Sequence, residues 1–298
     1  MKIMLIALGA GAALGAAGPA TATEGGGSIY PLGSENFTCC ALPPPGLYGI
    51  VYAQHYAADE VRGNDGQVVT PDGFKVRATA IAPRLVYVVP TQWAGAAVAG
   101  VHMILPVVDL QVTVGPGVSQ SKSGIGDMVF GPFLAWHHSE SVHTVAGLDL
   151  FAPTGGYKAG DLANIGRNYW AAQPVLGVSY INPTGLNADA KAMWTYNFKN
   201  KDTDYKSGQE LIVDYALGWG AGSGWTLGVG GYLYRQLNDD KVQGATVADN
   251  KGRVVAIGPS IRYDSGTGWL LTAKYEVEHG VRNRADGAAF WFKAVFAL

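Results

Sequence analysis

Histidines are the side chains of this sequence best suited to metal binding or acid–base chemistry, and three of its six cluster around one turn. His137, His138 and His143 lie close together, with Glu140 between them. Neighbouring histidines form a metal site only with a further carboxylate or thiol at ligand geometry, and Glu140 is the only nearby candidate. We therefore expect no metal site here and no cofactor elsewhere in the chain.

Hydrolysis would need a nucleophile, a base and a group that orients the base. His55, His102 and His279 are scattered along the sequence, and no Gly-x-Ser-x-Gly pattern accompanies them. The Gly124-Ile125-Gly126-Asp127 motif opens a predicted strand and lacks a following helix, so it is not a phosphate-binding loop. We predict no catalytic residues and no enzyme. The alternative functions are a lipid or ester hydrolase of the outer membrane and a structural or adhesive barrel.

Many charged side chains instead follow a period of two. Asp189 and Lys191 alternate with the apolar side chains around them, and Glu210 and Asp214 do the same in the segment that follows. Successive side chains of an extended strand point to opposite faces, so each segment has one apolar and one charged face. A sheet that is apolar outside and charged inside is typical of an outer-membrane β-barrel.

Extending this alternation along the chain predicts which charged side chains face the inside of the barrel. An interior enclosed by about twelve strands is wide enough for a ligand path or small channel. The mixture of signs argues against strong selection for cations or anions. The predicted pore-lining residues are Asp149, Asp189, Lys191, Glu210, Asp214, Arg262, Lys274, Glu276, Glu278 and Lys293.

The composition also fits a membrane barrel. Charged residues make up 15% of the chain, whereas glycine occurs 42 times. Beyond the N-terminal region no apolar run approaches the roughly 18 to 20 residues of a membrane-spanning helix, so strands must cross the bilayer. The net charge of −2 gives no nucleic-acid-binding signature. We predict an all-β, transmembrane antiparallel β-barrel of about twelve strands, an up-and-down meander formed by residues 46–298.

The start of the chain has the pattern of a secretory signal peptide. Met1 and Lys2 form a basic start, residues 3–17 are apolar, and Ala20-Thr21-Ala22 is a small-x-small cleavage site. We expect residues 1–22 to be the signal peptide of an exported protein.

The mature chain is then expected to begin near Thr23, ahead of the first strand. Residues 23–45 are too polar to span lipid, and they are either a plug inside the barrel or a flexible periplasmic leader. Cys39 and Cys40 are expected to be two incidental thiols rather than a strained vicinal disulfide.

Short and long connections alternate between the predicted strands, as periplasmic turns and extracellular loops do in bacterial barrels. Long connections are predicted at residues 119–125, 152–170 and 279–287, among others. Residues 107–118 either extend the third strand or form a separate piece. The loop at 152–170 is the candidate gate, and its gate residues are Tyr157, Asn164, Arg167, Asn168, Tyr169 and Trp170.

Aromatic residues mark the expected membrane boundary. Tryptophan gathers at membrane interfaces, and several tryptophans flank the predicted short turns. The last strand is aromatic and apolar, which is typical of segments that the barrel-assembly machinery recognises. We predict a periplasmic girdle, rather than core packing, for Trp93, Trp136, Trp219, Trp225 and Trp269.

Several short motifs resemble those of one outer-membrane family. They are Ala41-Leu42-Pro43-Pro44-Pro45-Gly46-Leu47-Tyr48, Gly124-Ile125-Gly126-Asp127, Ala152-Pro153-Thr154-Gly155-Gly156-Tyr157 and Asn164-Ile165-Gly166-Arg167-Asn168. Over most of its mature length the chain is similar to the meta-pathway phenol-degradation proteins, a family that includes sphingosine-induced outer-membrane proteins. That resemblance implies a barrel that passes hydrophobic, often aromatic, compounds across the outer membrane.

Residues and resemblance together predict a protein of the bacterial outer membrane through which hydrophobic, plausibly aromatic, small molecules pass passively. The expected gates are the 152–170 loop and the N-terminal segment. The expected partners are outer-membrane lipid, the hydrophobic solute and the barrel-assembly machinery, with no nucleic acid.

Overall fold

The computed structural model describes residues 22–298, so the predicted signal peptide, except for its last residue, lies outside the described residues. In chain order the strands are β1 (Gly46–Arg62), β2 (Lys75–Pro90), β3 (Val98–Ile104), β4 (Val107–Gly115), β5 (Val118–Ile125), β6 (Met128–His137), β7 (Val142–Ala152), β8 (Ala171–Tyr180), β9 (Leu186–Asn197), β10 (Tyr205–Lys206), β11 (Glu210–Gly222), β12 (Trp225–Gln236), β13 (Lys241–Val242), β14 (Ala245–Thr246), β15 (Arg253–Asp264), β16 (Trp269–Arg282) and β17 (Arg284–Ala297). Short 3-10 helices lie at Glu24–Gly26 and Trp93–Gly95. Within residues 22–298, no helix is long and apolar enough to cross a membrane.

The long strands form a closed antiparallel barrel. Each pairs with its neighbour in the chain, and β1 pairs with β17 from Tyr48↔Ala297 to Arg62↔Arg284, which closes the cylinder. Strands β3 and β4 both pair with β2, while β5 and β6 pair with β4 and β3 respectively, so each couple occupies one place in the wall. The described residues therefore form twelve wall positions, which confirms the predicted meander. The small strands β10, β13 and β14 form a separate sheet.

Two predicted long loops are wrong. Residues 118–125 form β5 in a hairpin with β4, because the alternating pattern that begins at residue 107 continues past the turn at Pro116 and Gly117. For residues 107–118 the sequence left two alternatives, an extension of the third strand or a separate piece. Because β4 pairs with β2 beside β3, it extends the third wall position. Residues 279–287 also belong to strands, and β16 and β17 continue to a tight turn at Asn283, which has a positive φ of 51°. These hairpins make the wall longer at the long-loop end than the sequence indicates.

The two faces of each strand separate polar from apolar side chains. In β9, Asn187, Asp189 and Lys191 are buried inside the barrel, whereas Leu186 and Trp194 are exposed on the outside. In β11, Glu210 and Asp214 are likewise buried. Because apolar side chains line the outer surface, the wall suits contact with hydrocarbon, as the period-two pattern predicts.

The tryptophans predicted as a girdle lie at the end of the barrel that carries the short turns. Trp93 is 71% exposed, Trp219 62%, Trp225 43% and Trp269 42%, so these side chains do not form a core. Trp136 is half-buried and donates its indole N–H to the Ala94 carbonyl at 3.2 Å. Exposed indoles in a ring match the interfacial belts of membrane proteins.

Replacing a lipid-facing leucine by arginine tests the outer face. Leu176 lies in the middle of β8 and is 65% exposed. We expect Leu176→Arg to lower the free energy of unfolding in lipid bilayers by about 2 to 4 kcal/mol, because a charge near the bilayer midplane is poorly solvated. Denaturant titration of the protein folded into phosphatidylcholine vesicles measures this. Leu176→Ala is the control for lost side-chain volume, and an equal loss in the two variants would contradict a lipid-facing wall.

Candidate functional site

The lumen is occupied by the N-terminal segment of the chain. Residues 23–45, here called the plug, run from the long-loop end of the barrel to its short-turn end. At the long-loop end the Glu24 N–H donates to Ser207 Oγ at 3.1 Å, just after β10. At the other end the plug leads directly into Gly46, where β1 begins. Its side chains Tyr30, Phe37 and others are buried against the inner wall.

Glu35 is the centre of the plug's charge interactions. Its carboxylate lies 3.0 Å from Lys293 Nζ, 3.5 Å from Lys191 Nζ and 3.6 Å from Arg84 Nη1. The backbone carbonyl of Glu35 also accepts a hydrogen bond from Lys274 Nζ at 3.0 Å. Four cations that project from different strands thus converge on one plug residue. Removing one partner of a buried ion pair is costly, so this contact fixes the plug at mid-lumen.

A second set of contacts joins the plug to Asp214 on β11. Asp214 Oδ2 accepts hydrogen bonds from the Tyr30 hydroxyl at 2.6 Å and the Glu35 N–H at 3.0 Å, and Oδ1 accepts the Gly33 N–H at 3.1 Å. Gly33 has a positive φ of 78°, and a Cβ there would lie 2.1 Å from Glu276 Oε1. Only glycine satisfies both the conformation and the close approach to the wall at this point.

The part of the plug around Cys39 and Cys40, here called the lower plug, is hydrogen-bonded to the wall near the short-turn end. Cys39 and Cys40 donate their backbone N–H groups to Asp189 Oδ1 and Ser179 Oγ respectively, each at 3.0 Å. The two Sγ atoms lie 2.6 Å apart without a disulfide bond in this structure, and that they are incidental thiols in the native protein stays a prediction. A Cβ at Gly177 would lie 2.3 Å from Cys40 Sγ, so a glycine in β8 makes room for this thiol.

Three of the glycine-rich motifs singled out in the sequence meet at one place on the wall. Asp127 Oδ1 accepts the Gly155 N–H at 2.8 Å, and its Oδ2 accepts the Arg167 N–H at 2.7 Å. A Cβ at Gly155 would lie 2.8 Å from the Gly166 Cα, so the segments touch through their backbones. Asp127 lies in the short break between β5 and β6. The long loop after β7 is hydrogen-bonded to the wall at this break.

Arg167 connects this motif cluster to the plug. Its Nη1 donates to the Glu24 carbonyl at 3.0 Å and its Nη2 to the Ser28 carbonyl at 3.2 Å. A Cβ at Gly25 or Gly27 would lie within 3 Å of the guanidinium, so the glycines of the plug permit this approach. The Arg167 side chain of the loop after β7 therefore hydrogen-bonds to the end of the plug that lies at the long-loop end of the barrel.

The other predicted gate residues have varied positions. Tyr157 donates its hydroxyl to Glu24 at 3.1 Å, and Asn168 donates to Asn200 at 2.9 Å. Tyr169 is buried beside Ser207, and Asn164 bonds to Lys122 within the loop region. The position of Trp170 contradicts a role in a gate. It is 48% exposed on the outer surface against Phe130, because it opens the lipid-facing alternation of β8.

All ten predicted pore-lining side chains are buried inside the barrel, from Glu210 at 0% to Asp149 at 9% exposure. Their role in a conducting path stays a prediction. Sequence reasoning missed Glu35, the plug residue on which the four cations converge, and it missed Arg84 and His102. Glu35 lies in an irregular segment, where no periodic pattern assigns a direction to a side chain. Arg84 and His102 do alternate with apolar residues on β2 and β3, and that signal could have found them.

A cavity of about 220 Å³ remains between the plug and one side of the wall. Its wall side is mainly apolar and includes Ala80, Ile104 and Val129, with Trp291 two strands away from Ala80 at the same level of the wall. Its polar side is formed by the charge cluster around Glu35 and by Tyr52. The side chains that line it also include Ala78, Ala82, Arg84, Pro106, Val108, Asp127, Asp149, Phe151, Ile165, Arg167 and Lys191. The plug and the motif cluster are therefore both part of its lining.

The histidines do not assemble a catalytic group. His102 Nε2 lies 2.9 Å from Asp149 Oδ1, and its Nδ1 has no hydrogen-bond partner among residues 22–298. His55 bonds to Thr79 on an exposed part of the wall. His137 and His143 bond to each other at 2.7 Å. In the described part of the chain, no group of three or more His, Cys, Asp or Glu side chains has a metal-holding arrangement.

Comparisons with known proteins identify related barrels. The family model described as "Putative MetA-pathway of phenol degradation" matches residues 58–294. The crystal structure of the COG4313 outer membrane channel from Pseudomonas putida F1 has a TM-score of 0.77 at 18% identity, covering 88% of this chain and 98% of that one. A search of curated proteins returned no match.

Two autotransporter units share the fold more distantly. The translocator domain of NalP from Neisseria meningitidis has a TM-score of 0.51 at 11% identity, with 86% of this chain and 90% of that one covered. The transport unit of AIDA-I from Escherichia coli has a TM-score of 0.51 at 8% identity, with 85% and 90% covered. These similarities show an outer-membrane barrel fold.

Proposed function

Because this chain belongs to the family described as "Putative MetA-pathway of phenol degradation", we propose that it is an outer-membrane channel for the passive passage of small aromatic molecules. It resides in the outer membrane, where its apolar outer face contacts lipid and the barrel-assembly machinery inserts it. No step of this function calls for a cofactor. The proposal assigns transport, rather than hydrolysis or adhesion, to the lumen.

The cavity beside the plug is the observation that carries this proposal. Its volume of about 220 Å³ is comparable with engineered apolar cavities of roughly 150 Å³ that bind benzene. Aliphatic and aromatic side chains would contact the ring, while Tyr52 and Arg84 lie where a hydroxyl substituent would be solvated. A phenol has this combination of an apolar ring and one polar group.

The plug separates this cavity from the short-turn end of the lumen. Solute that enters from the long-loop end would reach the cavity first and leave only when the lower plug shifts. The plug is attached by hydrogen bonds and ion pairs, and it has no covalent link to the wall within residues 23–45. Reversible movement is therefore compatible with its attachment.

Uptake into liposomes tests the function. We expect proteoliposomes with the purified barrel to take up radiolabelled phenol and toluene faster than protein-free liposomes, and to exclude a sugar of similar mass. Phenol crosses lipid unaided, so initial rates are compared at low temperature against liposomes that contain heat-unfolded protein. Equal initial rates in the two preparations would contradict an aromatic channel.

Filling the cavity separates binding in it from other routes. Ala80 faces the cavity, and its neighbour Ile81 is 54% exposed on the outer face. We expect Ala80→Phe to abolish saturable phenol binding, because its ring occupies the space of the solute, while Ile81→Phe leaves binding unchanged. Equilibrium dialysis of the protein in detergent against labelled phenol measures this. Unchanged binding by Ala80→Phe would place the phenol site elsewhere.

A further inference from the structure

The plug's first residues lie beside a carboxylate that lacks a cation. Asp240 follows β12 in a long loop and is 0% exposed. Its Oδ1 accepts the Gly208 N–H and Gln236 Nε2, each at 2.7 Å, and its Oδ2 accepts Asn250 Nδ2 at 2.7 Å and the Tyr205 hydroxyl. All of these donors are neutral. No lysine, arginine or histidine of residues 22–298 forms an ion pair with Asp240.

A buried carboxylate without a counter-charge is unusual, since fully buried acidic groups are normally paired. Burial raises the pKa of Asp240, and its hydrogen bonds oppose that rise. The remaining donor to Oδ2 is the backbone N–H of Thr23, at 2.9 Å. The group that touches the unpaired carboxylate is therefore the nitrogen of the residue after the Ala20-Thr21-Ala22 motif.

The backbone of Thr23 gives a second, independent observation. Its φ is 62° and its ψ is 153°, a combination that is nearly restricted to glycine and strains a β-branched residue. The φ angle exists only when a residue precedes it, because it describes rotation relative to the preceding carbonyl carbon. An N-terminal threonine at this place would carry no such strain.

We propose that the chain is cut between Ala22 and Thr23 and that the new α-ammonium group of Thr23 binds Asp240 as its counter-ion. In this step a leader peptidase of the export machinery adds water across the Ala22–Thr23 peptide bond. The C–N bond breaks, Ala22 leaves with a carboxylate, and the Thr23 nitrogen becomes an amine that takes up a proton. The ion pair anchors the outer end of the plug at the long-loop end of the lumen.

This pairing makes seating of the plug depend on processing. Before cleavage, Thr23 offers Asp240 one uncharged N–H and holds a strained backbone. After cleavage, the same nitrogen offers a positive charge and three N–H groups. Next to this contact, the Glu24 N–H donates to Ser207 Oγ at 3.1 Å, which adds a second attachment at this end of the plug. The inference is independent of the solute and of the proposed transport function.

Intact mass measurement of the protein purified from outer membranes tests the cleavage position. We expect a polypeptide that begins at Thr23. A chain that begins at Thr21 or Ala22, or that retains the leader, would overturn the proposal, because Thr23 would then keep an amide nitrogen.

Acylation of the terminal amine tests its pairing with Asp240. An activated ester reacts with the unprotonated amine, and pairing with a carboxylate lowers that fraction. We expect native protein to react at Thr23 about tenfold or more slowly than SDS-unfolded protein, as quantified by mass spectrometry of the N-terminal peptide. Equal rates in the two states would overturn the pairing, and this comparison needs no variant.

A pair of variants identifies the carboxylate responsible. Asp240→Asn should accelerate acylation of native protein toward the unfolded rate. Asp249→Asn removes the same charge from an exposed position of the same loop and should not. Heat-modifiable migration on gels confirms that each barrel is folded. Acceleration by both variants, or by neither, would contradict a specific contact with Asp240.

Discussion

Deleting residues 24–44 is expected to raise the single-channel conductance of the barrel severalfold. The deletion removes almost the whole plug but leaves Thr23 and the wall strands from Gly46 onward unchanged. A barrel of twelve strands encloses more space than its own inward side chains fill, so the emptied lumen admits water and ions. Conductance of purified protein in planar bilayers at fixed salt measures the effect.

The deletion also exposes the charged inner wall, so its fold must be checked. Heat-modifiable migration and a β-rich circular dichroism spectrum are the controls. We expect the deleted protein to conduct both cations and anions, because buried lysines and buried acidic residues both remain on the inner wall. A folded barrel with wild-type conductance would show that the plug does not limit the path.

Neutralising Glu35 is expected to release the plug without removing it. Glu35→Gln keeps the size of the side chain but withdraws the negative charge from Lys293, Lys191 and Arg84. Breaking a buried ion pair costs about 3 to 5 kcal/mol, which corresponds to roughly a hundredfold or greater shift in the docking equilibrium of the plug. The lower plug should then leave the wall more often.

The plug thiols report this movement directly. Cys40 is buried and Cys39 half-buried in the docked plug, so maleimide labelling requires the plug to open. We expect Glu35→Gln to speed labelling of both thiols by a similar factor, while Glu140→Gln, the same change at an exposed turn, leaves the rate unchanged. A labelling rate in Glu35→Gln equal to that of the wild-type protein would mean that the cations do not hold the plug.

The wall of this barrel could be predicted from the sequence because apolar and polar side chains alternate along each strand, and this alternation shows which side chains face the lumen. Asp189 and Lys191 alternate with outward apolar residues, and the structure buries both. The tryptophans at the short-turn end were predicted from a different signal, the interfacial preference of indoles together with their positions beside the short turns. The alternation rule failed for residues 119–125, where serines and glycine resemble a loop although the hairpin of β4 and β5 continues.

The plug contacts were not predictable in the same way. Residues 23–45 have no regular period, so the sequence left a plug and a periplasmic leader as alternatives, and the structure has the segment in the lumen. The partners of Glu35 lie about 50 to 260 positions away in the chain. Such contacts depend on closure of the barrel, which brings β2, β9 and β17 around one point. The cavity exists only because plug, loop and wall meet.

Disulfide trapping of the plug against the wall tests the central claim, that residues 23–45 occupy the lumen. Cys39 Sγ lies 3.9 Å from Ser179 Oγ, so Ser179→Cys with Cys40→Ser leaves one thiol on the plug facing one on the wall. We expect this variant to form a reductant-sensitive cross-link in intact outer membranes and to conduct less when oxidised than when reduced. Absence of the cross-link, with both thiols reacting freely with maleimide, would contradict a plug inside the barrel.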